Sequence, residues 1–170
     1  MASLDHIRSL YDYNAWANEH VLAAAFSLSE EELAKELGAS FGSVHGNLLH
    51  VLWAQEVWLQ RFTGGVAADV PGADAGIAAI REAHAASSDA LIRFVAELTE
   101  EGLGEKLAYT DTRGNDFEPP LWQPLMHLVN HGTHHRAECA MLLTSLGSAP
   151  RQLDYIFFEL EKDGAPPRLT

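Results

Sequence analysis

The sequence predicts an all-α fold, a four-helix bundle with a short β-hairpin between its third and fourth long helices. Three observations carry this. Four segments of about 20 to 26 residues repeat apolar side chains at three- and four-residue spacing, the period of a helix with one buried face. Glycine, proline and capping residues mark the ends of those segments. One stretch, Lys106 to Pro120, breaks the period and has the composition of two strands and a turn. The 170 residues are expected to form a single domain, 1–170, long enough to bury its own core.

The first helix is read from Leu4 to Phe26, with Ser3 as its N-cap and Asp5 in its first turn. Its apolar face is Leu10, Tyr13, Ala17, Val21 and Ala24. Ser29-Glu30-Glu31-Glu32 is a capping box that opens a short helix to Leu37, stopped by Gly38. The second long helix is read from Phe41 to Phe62, ending at Gly64-Gly65, and the third from an N-cap at Asp74 to Leu98 or Thr99. Ile77, Ile80, Leu91, Phe94, Val95 and Leu98 form the third helix's buried stripe. Leu107-Ala108-Tyr109-Thr110 has strand character, Asp111 to Asn115 is a turn, and Phe117 follows it. Pro119-Pro120 leads into the fourth helix, Leu121 to Leu146, which Gly147 stops. A last short helix covers Asp154 to Glu161. The long connection before the fourth helix permits a non-sequential bundle.

Composition narrows the function classes. The formal net charge of −13 argues against a nucleic-acid partner and an anionic membrane surface, since both need clustered Lys and Arg. No apolar run reaches the ~20 residues of a membrane span, and the N-terminus has no secretory pattern, so a cytoplasmic location is expected. The lone cysteine, Cys139, excludes a disulfide framework and a cysteine-rich zinc site. Any transition-metal site must then use imidazole and carboxylate.

Nine histidines are present, four of them between His127 and His135. On a helix, side chains four residues apart share a face, so a His-x-x-x-His pair can reach one ion. His131 is common to every suitably spaced pair: with His127, with His134 and with His135. Phase selects His135 as its partner. Leu128, His131, His135, Cys139, Leu142 and Leu146 form one stripe, which puts two imidazoles where core residues stand. Such groups need hydrogen bonds or a metal. His127 and His134 fall on a neighbouring face with Asn130, Ala137 and Met141, a candidate rim. For a third ligand, His50 lies mid-helix, with Trp53, Ala54 and Val57 on its inward phase. His6, His20 and His84 sit among polar neighbours and read as surface residues. No His-Glu-x-x-His motif is present, so the general base of a metalloprotease is missing.

The assembled residues resemble the DinB-like, damage-inducible family of the YfiT/DinB metal-binding superfamily. The matching stretches are Tyr13-Asn14-Ala15-Trp16-Ala17-Asn18, His50-Val51-Leu52-Trp53-Ala54-Gln55-Glu56-Val57-Trp58 and His127-Leu128-Val129-Asn130-His131-Gly132-Thr133-His134-His135-Arg136. The resemblance implies a down-up-up-down bundle that forms homodimers. It also implies a divalent ion, zinc or nickel, held by His50, His131 and His135. One departure stands out. Members often carry His-Arg-Gly-Gln where this chain has His135-Arg136-Ala137-Glu138. Glu138 is either an acceptor for an imidazole N–H or simply solvated, and the solvated reading is preferred.

Related proteins include bacillithiol S-transferases and mycothiol-dependent maleylpyruvate isomerases. The resemblance therefore implies a small-molecule substrate and a metal-dependent transfer of a low-molecular-weight thiol to an electrophile. The alternatives are a metal-dependent hydrolase, assisted by Glu56, Glu138 or Asp154, and a stress-associated metal-binding protein without turnover. Each of those three carboxylates is read as a surface charge. No catalytic residue and no organic-cofactor site is assigned. Trp16, Trp53, Trp58, Trp122, Tyr155 and Phe158 are candidates for an apolar pocket over the ion, Trp53 first because it lies one turn from His50. Arg136 is expected to brace its helix by pairing with Glu or Asp. Cys139 reads as a buried structural thiol.

Overall fold

The computed structural model describes residues 3–164. Ser3 accepts the His6 N–H and caps α1 (Leu4–Ala25). The Ser29–Glu32 capping box starts α2 (Glu30–Leu33), a single turn that ends short of Leu37. Beyond it the chain folds back, with the Leu37 N–H donating to the Gly42 carbonyl and Gly42 at φ 74°. Only a residue that tolerates positive φ fits that turn. Ser43, not a residue before Phe41, then caps α3 (Val44–Thr63) by accepting the Gly46 N–H. Phe41 is thereby left outside the helix.

Helix α4 (Ile77–Glu97) starts at Gly76 rather than at an Asp74 cap. Its first donor is satisfied from a distance, since the Ile77 N–H donates to Glu30 of α2 at 3.1 Å. A carboxylate from another element replaces the local cap that sequence suggested. The hairpin pairs β1 (Tyr109–Thr110) with β2 (Asp116–Phe117). Asp111 closes its turn by accepting the Arg113 and Asn115 N–H groups. Helices α5 (Trp122–Ser145) and α6 (Tyr155–Lys162) follow.

The four long helices form a ring in the order α1, α4, α3, α5, each packed on the two beside it. Helices α1 and α3, sequential among the long ones, therefore face each other across the bundle, which is the non-sequential arrangement the long connection permits. The fold is helical with one small antiparallel sheet, as expected. No helix among the described residues is long and apolar enough to cross a membrane.

The core has two apolar clusters, one around Ile7, Tyr11, Leu91 and Leu125, the other around Val21, Val44, Ile80 and Leu143. Between them every long helix contributes buried polar side chains: Asn14 and Asn18, Gln55, His84 and Ser87, and Arg136. Gln55 accepts from both asparagines and donates to Ser87, which ties α1, α3 and α4 together. Its member on α5, Arg136, directly follows His135.

His84 belongs to that layer and is not a surface residue: it is 2% exposed, and its Nε2 lies 3.0 Å from the Leu48 carbonyl, to which it donates. Its polar neighbours Ser87 and Ser88 are buried as well, which is why neighbourhood polarity misled. Burial lowers the His84 pKa to about 4, with Arg136 adding to the effect. The unfolded chain binds this proton near 6.5 and the folded chain only near 4. The stability held by neutral His84 is therefore complete above pH 6.5 and lost as pH falls toward 4, on the order of 3 kcal/mol. Urea melts from pH 7.5 to 4 should show a shallower acid loss for His84→Gln than for the native chain. Parallel curves would refute it.

Candidate metal centre

Because α3 packs alongside α5, His50 is set opposite the His131–His135 pair, whose four-residue spacing puts both rings on one helical face. Each imidazole offers one nitrogen, and the three nitrogens lie within 4.8 Å of one another. The ring centroids are 5.0 Å apart for His50 and His131, 4.6 Å for His50 and His135, and 4.5 Å for His131 and His135. Nε2 of His50 is 3.2 Å from Nε2 of His131. Two N–H groups cannot meet at that distance, so at least one lone pair points inward.

The outer nitrogens agree with that reading. His135 donates from Nδ1 to Glu138 at 2.9 Å, which leaves its lone pair on Nε2. His131 Nδ1 is buried with no partner, so its only partnered nitrogen is the one that faces His50. Burial, with a smaller contribution from the neighbouring His135, lowers the pKa of His50 to about 4. Burial also takes His131 to about 4, with His135 and His50 contributing. Both rings are neutral at pH 7, the form that ligates. Three imidazoles suit zinc or nickel, while calcium and magnesium take oxygen ligands.

Glu138 is engaged rather than simply solvated. It also accepts from the Ser40 hydroxyl at 2.5 Å. Burial pushes its pKa up, but the Ser40 and His135 hydrogen bonds outweigh this and hold it below the usual carboxylate range. An outer carboxylate of this kind fixes ring orientation and makes the imidazole more basic. Glu138→Ala should weaken zinc affinity roughly 10- to 100-fold. Glu138→Gln, which keeps an acceptor, should weaken it less. Competitive titration against a zinc indicator reads both, and equal affinities in all three proteins would sink this role.

Two aromatic rings bracket His50. Phe41 stacks on it at 3.7 Å between centroids and Trp53 lies 5.7 Å away, both about two-fifths exposed. Trp53 therefore flanks His50 at the surface instead of pointing inward. The other aromatics form no roof over the histidines. Trp16, Tyr155 and Phe158 gather round Tyr13 on the α6 side, and Trp122 packs on the core. Phe41 and Ser40 were missed because both precede α3 in a loop whose course no periodicity reveals.

The remaining residues singled out by sequence take varied places. His127 is exposed and packs on Trp58 and His131. His134 is exposed, edge-on to His135, and forms a second cluster with His135 and Glu138 whose ligand atoms also lie within 4.8 Å. Glu56 is buried rather than a surface charge, and accepts the Ala68 N–H at 3.1 Å. Asp154 lines a separate cavity beside Tyr13 and Arg136. Cys139 is fully buried, and desolvation raises its thiol pKa to about 12.

Arg136 does brace its helix, but against neutral partners. It is 3% exposed and donates from Nη1 to Asn14 at 2.6 Å and Asn18 at 2.9 Å, and from Nη2 to Thr133. Desolvation lowers its pKa. To reach α1 the guanidinium passes over Gly132, where a Cβ would lie 2.7 Å from Nη1 and 2.8 Å from Asn14 Oδ1. A helix-interior glycine four residues before an arginine is the signal that could have revealed this crossing.

The sequence model of the DinB family matches residues 2–167. Protein DinB of Bacillus subtilis (strain 168) is 26% identical over 160 residues, which cover 89% of this chain and 92% of that protein.

Proposed function

The chain belongs to the DinB family, and from that footing we propose that His50, His131 and His135 hold a divalent zinc or nickel ion at which a low-molecular-weight thiol is added to an electrophile. The observation that carries the reading is the convergence of three imidazole nitrogens within 4.8 Å, two of them on rings kept neutral by burial. Bound there, the ion supplies a Lewis acid that lowers the pKa of a thiol brought to it.

The chain's own groups complete the arrangement. Glu138 orients His135, while Phe41 and Trp53 hold the His50 ring and present an apolar, partly exposed surface beside it. In the transfer, the thiol proton passes to solvent and the sulfur forms a bond to the electrophilic carbon. The leaving group departs with the electrons of the bond that breaks. No protein base is required.

That point favours transfer over hydrolysis. Hydrolysis calls for a nearby free carboxylate, and the three candidates are occupied or distant: Glu56 on Ala68, Glu138 on Ser40 and His135, Asp154 in another cavity. The zinc- or nickel-loaded protein should be assayed with several cellular thiols and 1-chloro-2,4-dinitrobenzene. A rate above the chelated control with at least one thiol is expected. No such rate with any thiol would overturn the transferase reading and leave metal binding without turnover.

A further inference from the structure

We infer that the electrophile carries a neutral aromatic ring, which seats in a cavity between α3, the hairpin and α5, one helical turn along α5 from His131. The inference takes its chemistry from the transferase reading, but its geometry stands independently.

The cavity has a volume of about 350 Å³ and is walled by Trp58, Tyr109, Phe117, Pro119, Pro124 and His127. An apolar cavity of roughly 150 Å³ accepts benzene, so a substituted ring fits here. The walls suit a flat guest. Tyr109 and Phe117 stack on each other at 5.4 Å, and Trp58 stands at 67° to Tyr109 and 60° to His127. Aromatic rings bind one another through such offset and edge-on faces.

The cavity adjoins the histidine cluster through His127. The His127 ring lies 5.3 Å from Trp58 in the cavity wall and 5.8 Å from His131. Pro124, His127 and His131 follow one another along one face of α5, and the seven-residue step from Pro124 to His131 spans roughly 10 Å. A molecule with its reactive carbon at the histidines and a ring at the end of a flexible chain of several atoms therefore reaches the cavity.

Charge selects the kind of ring. The Arg61 guanidinium lies 4.6 Å from the Trp58 ring and 4.9 Å from that of Tyr109, so those faces already hold a cation and a second would be repelled. Glu118 in the lining opposes an anion. A neutral ring is what remains.

Phe117 is the residue to remove, because it is 43% exposed on the outer hairpin strand and the bundle core does not depend on it. The zinc-loaded protein is titrated calorimetrically with 1,3-dinitrobenzene, which has the ring but no leaving group. Saturable binding to the native chain is expected, about fivefold weaker for Phe117→Ala and unchanged for Phe26→Ala, another exposed aromatic. With 1-iodo-4-phenylbutane, whose reactive carbon is separated from its ring by a flexible chain, Phe117→Ala should raise KM by a similar factor, while KM for iodoacetamide, which has no ring, stays the same. Absence of dinitrobenzene binding, or equal binding to the native chain and Phe117→Ala, overturns the inference. Phe117-dependent binding without thiol turnover upholds the ring site and defeats the transferase reading instead.

Discussion

Replacing His131 by alanine should reduce bound zinc or nickel from stoichiometric to background, as read by elemental analysis after dialysis. The His131 ring centroid lies 5.0 Å from that of His50 and 4.5 Å from that of His135. Losing it leaves two imidazoles, and the loss should exceed the roughly 10- to 100-fold that removal of an outer partner produces. His134→Ala is the discriminating control. His134 forms the alternative cluster with His135 and Glu138, so an ion held there would depend on His134 and not on His131. Retained metal in His131→Ala together with lost metal in His134→Ala would move the site. Thermal melts offer a second reading: added zinc should raise the Tm of the native chain through mass action and leave that of His131→Ala where it was.

Gly132→Ala should lower the Tm by roughly 4–8 °C, although helix propensity alone favours alanine by about 1 kcal/mol. The added methyl would meet Arg136 Nη1 at 2.7 Å and Asn14 Oδ1 at 2.8 Å. Those two atoms are bonded to each other at 2.6 Å and buried, so neither can swing away into solvent. Displacing them weakens hydrogen bonds to a charged group, each worth about 1.5–3 kcal/mol. Subtracting the propensity gain leaves a net cost on the order of 2 kcal/mol. A differential-scanning melt that shows an equal or higher Tm would mean the network yields without cost.

These two residues show how far the sequence could be read. His131 was legible because a helix has a fixed period, so a histidine in phase with Leu128, Cys139 and Leu142 must face where they face. The same logic placed α1 and α5. It failed wherever a distant side chain decided the outcome. Glu30 reaches the start of α4 and moves its boundary from Asp74 to Gly76. Glu138 finds Ser40 across 98 positions of sequence, which spacing along one helix cannot disclose. His84 and Glu56 looked like surface groups because burial of a polar side chain depends on partners, and those partners come from other helices or loops. The asparagines of α1 were visible as part of a family motif, but their task of holding Arg136 needed the fold.

The burial of Cys139 has a consequence for a protein proposed to work among alkylating molecules. A thiol with no exposed surface and a pKa near 12 presents almost no nucleophilic anion at pH 7. The chain's one sulfhydryl is thereby withheld from the electrophiles offered to the histidine centre. The folded protein should pass through prolonged exposure to iodoacetamide without acquiring mass at Cys139, and become labelled there only once denatured. If the proposed transfer takes place, self-inactivation is prevented by the same close packing that fills the bundle beside the three histidines.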